Sequence, residues 1–522
     1  MKRHSVLAIV LAVIMLMMIF ASSCGVKEKP VTDKPSETDK PSETDREFME
    51  ISIALWDLQD FGKDDLGKMI EEELNIKINE INLSWDTYDE QTMLFIATGE
   101  MPDAMATYPE FTNLYDWIDQ KLIREIPEEL VNKYPYVKDV FDDFRTLQAV
   151  KDIKGGYYFI PRPLSALNLY IADQSVIYYR MDWMKNVGIT KEPETIDEFY
   201  ALLKAFKEDD PDKNGKADTV GMTTNGLNTN LFAAFGIDPN HWTEEDGQWI
   251  PGYLSKKNIE PLIFYQKLYR EGLLDPEFAG NGYKEAIGKL AQNTAGVMIR
   301  NGDVDWLNKT INFYFGDANK DLGDPIDIIG VMGPLSKDSS SDKSWFELIE
   351  TCGTEIASHV SDAKLDRILE LTNYLMSPKG KDLVRWGIEG TDYRMDGEKY
   401  VSLLEEGMAI TNKYPSVMLK YFSDWDFDFH ADLQGDPITP VEYKELGEKV
   451  RAKYNPFSRQ ERLDISFLST PAKDDLAIDW AGTFTQIVTG SDDVEAAFNV
   501  FVQDCMTRGL QTAIDEVNAI AK

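Results

Sequence analysis

Histidine and cysteine are scarce in this chain of 522 residues, which has four His and three Cys. A disulfide framework or a zinc site of His and Cys normally needs more of these residues, so the sequence disfavours both. Basic residues are also few, 54 against 91 acidic ones, which gives a formal net charge of −37. This charge repels nucleic-acid phosphates, so we expect no nucleic-acid partner. The Gly-x-Ser-x-Gly and His-Glu-x-x-His motifs of common hydrolases are also absent.

The N-terminus has the pattern of an export signal. Lys2 and Arg3 precede an uninterrupted apolar run over residues 6–20, and small residues lead into Cys24. The run is too short for a lasting membrane span. The pattern resembles a bacterial lipoprotein signal, although Ala21 stands where Leu is usual. The resemblance implies a signal peptide over residues 1–23, lipidation of Cys24 and a protein anchored to the outer face of the cell membrane. Ordinary signal cleavage nearby and an uncleaved anchor are the alternatives.

Residues 24–47 are predicted to be a disordered tether. The sequence DKPSET occurs at 33–38 and again at 39–44, and almost nothing apolar accompanies it. A flexible chain of about 20 residues spreads over roughly 25 Å, so a folded part could stand clear of the membrane. We interpret the repeat as a spacer.

Alternating strand and helix patterns open the part of the chain that we expect to fold. Short patterned stretches occur at residues 50–55, 66–74, 76–83, 88–97 and 103–107. The first, third and fifth are typical of strands and the other two of helices, which predicts a βαβαβ opening of a wound α/β lobe. Further on, Thr195 and Glu198 form a capping box before a helix. Residues 492–506 and 510–520 are predicted helices.

Six further segments carry a family resemblance. They are TGEMPD (98–103), GGYYFIPR (155–162), YRMDWM (179–184), PETIDEF (193–199), YLMSPKG (374–380) and WGIEG (386–390). In order and spacing they resemble the extracellular solute-binding lipoproteins of carbohydrate ABC importers, especially the large Gram-positive branch. The resemblance implies an α/β, two-lobe periplasmic-binding-protein-like fold of type II. Each lobe would be a wound sheet flanked by helices, with the ligand cleft between the lobes.

We expect the lobes to be discontinuous in sequence. Residues 48–165 and 330–395 would form the first lobe, and residues 166–329 and 396–522 the second. The resemblance implies the substrate-binding subunit of an ABC importer, a monomer without enzyme activity. It would capture an extracellular carbohydrate, preferably an oligosaccharide, by lobe closure and deliver it to permease subunits in the membrane. Closure allows an importer to distinguish loaded from empty protein.

Three other functions stay open at this point. The protein could be an extracellular polysaccharide-degrading enzyme, a binding protein for a peptide or another solute, or a sensor that presents its ligand to a membrane receptor kinase. The many acidic residues do not favour a glycosidase, because in such a chain some carboxylate pair always has a plausible spacing. Cys352 and Cys505 could pair outside the cell, but the sequence favours buried free thiols.

The sharpest local motif is a loop typical of calcium sites. Its oxygen ligands would come from Asp210, Asp212, Asn214, the main-chain carbonyl of Lys216, and Asp218. These are positions 1, 3, 5, 7 and 9 of an EF-hand-like loop, with Gly215 at position 6. Gly221 replaces the Glu of position 12, so other ligands must complete the shell. We predict structural calcium here, as the resembled family has in its alginate-binding members among others. An unmetallated turn and a regulatory or catalytic role of the loop are the alternatives.

Sugar-binding clefts combine aromatic faces with carboxylates, amides and Arg. Positions in the family pattern imply a set of ligand-binding candidates: Trp56, Glu100, Asp103, Tyr108, Arg162, Trp306, Trp386, Glu389 and Tyr393. Each could instead be a core or rim residue, and Arg162 could pair with a surface acid. Trp183 is expected in the core.

Overall fold

The computed structural model describes residues 47–84, 87–107, 111–162, 175–346, 353–397, 399–405, 408–423, 440–459 and 462–521. The predictions for the signal peptide, the tether, Cys24, Tyr108 and Cys352 lie outside the described residues. None of the helices within these ranges is long and apolar enough to cross a membrane.

The strands are numbered along the chain: β1 (Met49–Trp56), β2 (Ile76–Leu83), β3 (Ala104–Thr107), β4 (Phe159–Pro161), β5 (Val176–Arg180), β6 (Val220–Thr223), β7 (Trp242–Glu245), β8 (Gln248–Pro251), β9 (Ala295–Arg300), β10 (Ile329–Met332), β11 (Trp345–Phe346), β12 (Gly353–Ile356), β13 (Tyr393–Asp396), β14 (Lys399–Ser402) and β15 (Ser458–Arg459).

The α-helices are α1 (Asp65–Leu74), α2 (Tyr88–Thr98), α3 (Phe111–Asp119), α4 (Glu128–Val131), α5 (Pro135–Asp143), α6 (Arg145–Lys154), α7 (Met181–Asn186), α8 (Ile196–Glu208), α9 (Thr229–Phe232), α10 (Ile259–Arg270), α11 (Tyr283–Ala291), α12 (Val304–Leu307), α13 (Asp362–Met376), α14 (Pro378–Trp386), α15 (Ile410–Lys413), α16 (Val441–Tyr454), α17 (Leu463–Ser466), α18 (Pro471–Asp474), α19 (Trp480–Gly490), α20 (Val494–Thr507) and α21 (Leu510–Ile520). A π-helix spans Asn308–Gly316. Short 3₁₀ segments span Ala233–Phe235, Gly252–Leu254, Lys256–Asn258, Lys320–Leu322, Pro325–Asp327, Pro415–Phe422 and Asn455–Phe457.

The predicted βαβαβ opening is confirmed. Strands β1, β2 and β3 lie where the alternation placed them, to within a residue or so at each end, with α1 and α2 between them. Asp64 caps α1 by accepting from the amide of Gly67 at 2.8 Å. The capping box is confirmed in part, because Thr195 accepts from the amide of Glu198 at 3.3 Å. The Glu198 carboxylate reaches one residue further back, to the amide of Glu194 at 2.8 Å.

The first sheet has the strand order β2-β1-β3-β12-β4. Strands β1, β2 and β3 are parallel, and β12 is antiparallel to both of its neighbours, β3 and β4. The carboxyl ends of β1, β3 and β4 therefore lie at the same edge as the amino end of β12. The chain leaves this edge after Pro161 and rejoins the sheet there at Gly353.

The second sheet has the order β10-β5-β9-β6. Strands β6, β9 and β10 run in the same direction, and β5 is antiparallel to its neighbours β9 and β10. The first residue of β5, Val176, lies opposite Arg300, the last residue of β9. The chain thus enters this sheet at the carboxyl ends of β6, β9 and β10. Open α/β sheets hold ligands outside the carboxyl ends of their strands, so the edges next to the crossing segments are where a ligand is expected.

Two hydrophobic cores underlie these sheets. The buried residues of the first run from Ile51 to Ile160 and from Ile356 to Phe422. Those of the second run from Val176 to Trp345 and from Tyr443 to Ile514. The chain returns to the first core later than the predicted residue 330, because β10 pairs with β5 of the second sheet. It leaves the first core later than residue 395, because the Pro415–Phe422 segment packs there.

Two smaller predictions concern buried side chains of the second core. Trp183 is fully buried, as expected, and packs edge-on against Phe206 with ring centres 5.6 Å apart. Cys505 is a buried free thiol, which agrees with the favoured interpretation.

Candidate functional site

Two predicted ligand residues meet at the carboxyl edge of the first sheet. Trp56 ends β1, and Arg162 follows β4 with its guanidinium carbon 4.8 Å from the centre of the Trp56 ring. Arg162 donates to the main-chain oxygens of Thr107 (2.9 Å), Gly353 (3.1 Å) and Tyr421 (3.2 Å). Both side chains are fully buried. Arg162 thus joins the ends of three separate segments at the expected ligand edge.

A buried acid lies beside this arginine. The Glu355 carboxylate accepts from the hydroxyl of Thr107 through Oε2, and its Oε1 is buried with no partner among the described residues. Burial raises the pKa of Glu355 to about 7, and the hydrogen bond from Thr107 and the charge of Arg162 oppose that rise only in part. Glu355 was not predicted as a site residue, because the sequence does not show that this acid in Gly353–Ile356 is buried.

Glu100 and Asp103 lie at the opposite edge, where β3 begins. Glu100 is exposed. Asp103 is buried and accepts from the amide and the hydroxyl of Ser52 at 2.8 and 3.0 Å. Its carboxylate also pairs with Lys364 at 3.0 Å and lies 3.2 Å from Nε2 of His359. The Asp103 side chain therefore joins β1 and β3 to helix α13.

The predicted residues of the WGIEG segment form an aromatic group. Trp386 stacks on Tyr400 of β14 with ring centres 4.8 Å apart and an interplanar angle of 7°. Tyr393 packs against both rings, and the hydroxyl of Tyr400 donates to Asp382 at 2.7 Å. Trp386 and Tyr393 are buried, whereas Glu389 is exposed in the preceding turn.

Trp306 lies at the carboxyl edge of the second sheet. It belongs to the short helix α12, which Asp303 caps by accepting from the Trp306 amide at 2.9 Å. The half-buried Trp306 ring meets the ring of Tyr283 nearly at a right angle, with centres 5.7 Å apart. The guanidinium carbon of Arg300 lies 4.3 Å from the centre of the Trp306 ring.

A cavity of about 800 Å³ lies between residues of the two cores. Tyr115 of helix α3 contributes from the first core, and its hydroxyl donates to the main-chain oxygen of Phe467 at 2.6 Å. The rest of the described lining comes from the second core: Asn240, His241, Trp242, Pro251, Tyr253, Ser466, Phe467, Lys473, Asp474, Asp475, Leu476, Ala477, Ile478, Asp479, Trp480, Arg508 and Leu510. None of these described lining residues is among the predicted ligand residues.

Three half-buried aromatic rings line this cavity. The rings of Tyr253 and Trp480 have nearly parallel planes, 8° apart, with centres 6.4 Å from each other. Lys473 lies 5.5 Å from the centre of the Trp242 ring. Asp479 caps helix α19 by accepting from the Gly482 amide at 2.8 Å, which places Trp480 in the first turn. In the sequence, the only local sign of this part of the cavity is that an aromatic residue, Trp480, directly follows the helix-capping Asp479.

The predicted calcium loop joins helix α8 to strand β6. The amide group of Asn214 donates to Asp212 at 2.8 Å and to Asp218 at 3.1 Å, and the main chain of Gly215 donates to Asp210 at 3.1 Å. Burial raises the pKa of Asp212, and the negative charges of Asp210 and Asp218 add to that rise. Two carboxylates therefore converge on the side-chain amide of Asn214, and the Asp210 carboxylate binds main-chain amides of the same loop.

Position 12 of the loop has a steric reason to be glycine. A Cβ atom at Gly221 would lie 2.7 Å from the main-chain oxygen of Leu203, so a Glu does not fit there. Within the described ranges, no group of three or more His, Cys, Asp or Glu side chains is arranged to hold a metal ion. The donor types in the loop nevertheless suit calcium, which binds carboxylate and carbonyl oxygens.

Similarity to known proteins extends over most of the chain. Lipoprotein LipO of Bacillus subtilis (strain 168) is 27% identical over 345 residues, which are 63% of this chain and 65% of LipO. The polygalacturonan/rhamnogalacturonan-binding protein YtcQ of the same organism is 27% identical over 321 residues, which are 60% of this chain and 57% of YtcQ. The matches thus span less than two thirds of the length of either relative.

Solved structures share the fold over a larger part of the chain. The Streptococcus pneumoniae ABC-transporter substrate-binding protein FusA in complex with kestose has a TM-score of 0.65 and 18% identity, and the match covers 91% of this chain and 98% of FusA. An EF-hand mutant of FusA in complex with fructo-nystose has a TM-score of 0.64 and 19% identity, with the same coverage. The expected two-lobe α/β fold of type II is confirmed.

The family assignment rests on a match over more than half of the chain. Residues 58–379 match the family described as bacterial extracellular solute-binding protein, and this range includes the second sheet, the first sheet apart from β1, and the predicted calcium loop. The relatives above are binding proteins and lipoproteins, in keeping with that family. The chain belongs to the bacterial extracellular solute-binding proteins.

Proposed function

We propose that this protein is the carbohydrate-binding subunit of an ABC importer. It captures an extracellular oligosaccharide between its two lobes, closes over the sugar and delivers it to permease subunits in the membrane. The lobes are those defined by the two cores. FusA is named as a fructooligosaccharide ABC transporter substrate-binding protein and YtcQ as a polygalacturonan/rhamnogalacturonan-binding protein, and both names support this ligand class.

The observation that carries the proposal is the pair of aromatic rings in the cavity. Tyr253 and Trp480 present nearly parallel, half-buried rings, and pyranose and furanose rings stack their C–H faces on such surfaces. Charged groups that can hydrogen-bond to sugar hydroxyls line the same cavity, namely Lys473, Asp475 and Arg508. A volume of about 800 Å³ is within the range of small-ligand pockets and suits an oligosaccharide of a few units.

The cavity also has the position that a closing protein requires. Its walls come from Tyr115 of the first core and from segments of the second core. A ligand that contacts both walls stabilises the closed state relative to the open one, because its contacts are complete only when the lobes meet. Ligand occupancy is thereby converted into a shape that a permease can recognise.

Lipidation of Cys24 and the tether over residues 24–47 complete this proposal. They would hold the folded part near the outer face of the cell membrane, within reach of the permease. The similarity to a lipoprotein supports this part of the proposal.

Calcium is the proposed structural cofactor, held by the loop from Asp210 to Asp218. Four oxygen side chains and the carbonyl of Lys216 would bind it, with water or another residue at the remaining positions. The bound ion would neutralise carboxylates that now repel one another. The existence of an EF-hand mutant among similar structures supports a loop of this kind in relatives.

Isothermal titration calorimetry with a panel of oligosaccharides tests the ligand class. We expect Trp480→Ala and Trp242→Ala each to weaken binding of the preferred sugar by about tenfold, through loss of ring stacking. Trp249→Ala is the matched control. Trp249 lies on the β7–β8 hairpin, as Trp242 does, but it does not line the cavity.

Two results would contradict the proposal. Unchanged affinity in both Trp variants would place the sugar site elsewhere. Shortening of any sugar during the titration, followed by chromatography, would show an enzyme, whereas a binding subunit returns its ligand intact.

A further inference from the structure

An arginine at the ligand edge of the second sheet forms no ion pair with any carboxylate of the described residues. Arg300 ends β9 and is partly buried, and its Nε is buried without a hydrogen-bond acceptor among the described residues. Across the part of the chain that the structure describes, its guanidinium is in no ion pair. In a chain with 91 acidic and 54 basic residues, partners for an arginine are abundant. The lack of an ion pair with a described residue at this partly buried arginine calls for a physical explanation.

Two aromatic rings hold this guanidinium in place. Its central carbon lies 4.3 Å from the ring centre of Trp306 and 5.1 Å from that of Tyr283. Because the two rings meet at 87°, Arg300 lies in the corner between them. Ring contacts attract a cation and fix the plane of its guanidinium, but they leave its hydrogen-bond donors unused.

The surrounding charges keep this corner positive. Lys284 lies 5.7 Å from the centre of the Tyr283 ring, and Lys309 lies 5.5 Å from that of Trp306. Lys309 is paired with Asp305, and the carboxylate of Asp303 caps the amide of Trp306. Burial lowers the pKa of Arg300, and electrostatic interactions with Tyr178, Asp303 and Tyr283 oppose that effect only in part. The corner is thus a cationic and aromatic patch on a strongly acidic protein.

The location is that of a ligand site. Arg300 lies opposite Val176, where the chain enters the second sheet from the first. This is the carboxyl edge, at which open α/β sheets bind their ligands. A positioned guanidinium binds a carboxylate through two parallel hydrogen bonds, and the adjacent rings can stack on the sugar to which the carboxylate is attached.

We infer that Arg300, with Trp306 and Tyr283, binds the carboxylate of a uronic acid unit, so that the protein takes up acidic oligosaccharides. This inference rests on the proposed function and specifies its substrate class, with Arg300, Trp306 and Tyr283 as contacts outside the described lining of the Tyr253–Trp480 cavity. The carboxylate supplies the ion-pair partner that Arg300 lacks among the described residues, and part of the cost of desolvating this partly buried arginine has been met before the ligand arrives. The negative surface of the protein is overcome locally, since the carboxylate meets its counter-charge within a Debye length.

The test compares an acid with its own neutral ester. Trigalacturonate and a mannuronate trimer are each titrated beside their fully methyl-esterified forms, which keep the size and linkage but remove the charge. We expect the wild-type protein to bind at least one acid about tenfold or more tightly than its ester, and expect added salt to reduce the preference.

Variants assign that preference to Arg300. Arg300→Gln should bind the acid and the ester with similar affinity, and Arg300→Lys should keep only part of the preference, because an ammonium cannot form the planar fork. Lys449→Gln removes the same charge from an exposed site on the same lobe and should keep the full preference. Without ligand, Arg300→Gln should melt close to the wild-type temperature, because it loses the two ring contacts but no ion pair with a described residue.

The outcomes separate this inference from the proposed function. Binding of neutral oligosaccharides without preference for either acid would overturn the inference and leave the proposed function standing. An acid preference that survives in Arg300→Gln would also overturn it, because the acid would be bound elsewhere. A lower melting temperature of both Arg300 variants would assign Arg300 a structural role. Failure of every sugar to bind would overturn the proposed function itself.

Discussion

The guanidinium of Arg162 lies over the ring of Trp56, 4.8 Å from its centre, at the carboxyl edge of the first sheet. The sequence analysis selected both residues as ligand contacts. The structure brings them together and buries both completely, with Arg162 hydrogen-bonded to the ends of three segments. Their observed contacts are therefore with each other and with the framework around the cleft.

Loss of Arg162 should destabilise the first lobe strongly. Arg162→Met leaves the main-chain oxygens of Thr107, Gly353 and Tyr421 without this donor. An unsatisfied buried polar group costs about 1–3 kcal/mol, so we expect the free energy of unfolding to fall by about 3 kcal/mol or more. Urea denaturation measures this. Arg394→Met, at an exposed position of β13, is the control, and equal stabilities of the two variants would contradict the prediction.

Stability should depend on pH through Glu355. Burial raises its pKa to about 7 from an ordinary value of 4.5. As the pH rises, Glu355 therefore loses its proton at a lower pH in the unfolded chain than in the folded protein. The stability that the group contributes is present below about pH 4.5 and is lost as the pH rises to about 7. The full loss is on the order of 3 kcal/mol.

Glu355→Gln should remove this dependence. We expect the variant to gain stability relative to the wild type from pH 5 to pH 8, measured by chemical denaturation at each pH. Glu129→Gln, at an exposed position of helix α4, should follow the wild type. A constant difference between Glu355→Gln and the wild type across this range would contradict the assignment.

Calcium should raise the melting temperature through the Asp210–Asp218 loop. Asp212→Ala removes a central ligand, so we expect the difference between melting temperatures in calcium and in chelator to disappear. Asp342→Ala, which removes an exposed acid elsewhere, should keep the difference. A rise that persists in Asp212→Ala would place the calcium site in another part of the protein.

Asp103 should stabilise the fold at neutral pH. Burial alone would raise the pKa of Asp103, but the hydrogen bonds from Ser52 and the ion pair with Lys364 outweigh burial and hold its pKa below the ordinary value. Its contribution is therefore present above about pH 4 and is lost as the pH falls. We expect Asp103→Asn to cost about 1–3 kcal/mol at pH 7 and less at pH 3, measured by urea denaturation.

The control for this prediction is Asp396→Asn, at an exposed position of β13. A stability difference between Asp103→Asn and the wild type that is as large at pH 3 as at pH 7 would contradict the charge assignment. A loss of sugar affinity in a folded Asp103→Asn protein would assign Asp103 to the ligand site, as the sequence analysis expected.

Local sequence patterns correctly predicted individual strands, helices and helix caps, because these depend mainly on residues close together in the chain. The alternation over 76–83 gives β2, the helical spacing over 510–520 gives α21, and Thr195 caps α8. The return crossing could not be placed in the same way. The strand pattern of Ile329–Met332 is compatible with either sheet, and only its pairing with β5 assigns it to the second.

The candidate site was predicted less completely, because its residues come from distant parts of the chain. Tyr253 and Trp480 are far apart in sequence, and neither residue type marks a cleft by itself, since most aromatic residues here belong to the two cores. Trp306 was selected from the family pattern, but the arginine that it contacts was not. Arg300 is the last residue of the apolar strand β9. From the sequence alone, a charged residue at this position is expected only to mark the end of the strand.

The sequence by itself determined the class of the fold, the export signal pattern and the loop of oxygen ligands, because periodicity, composition and short spacing act over a few residues. Tertiary structure alone decided which side chains share an environment. It buried Glu355 beside Arg162, set Tyr253 parallel to Trp480, and left Arg300 between two rings without a carboxylate partner among the described residues. Such juxtapositions arise from how strands and helices pack, and packing depends on contacts between segments that the sequence holds far apart.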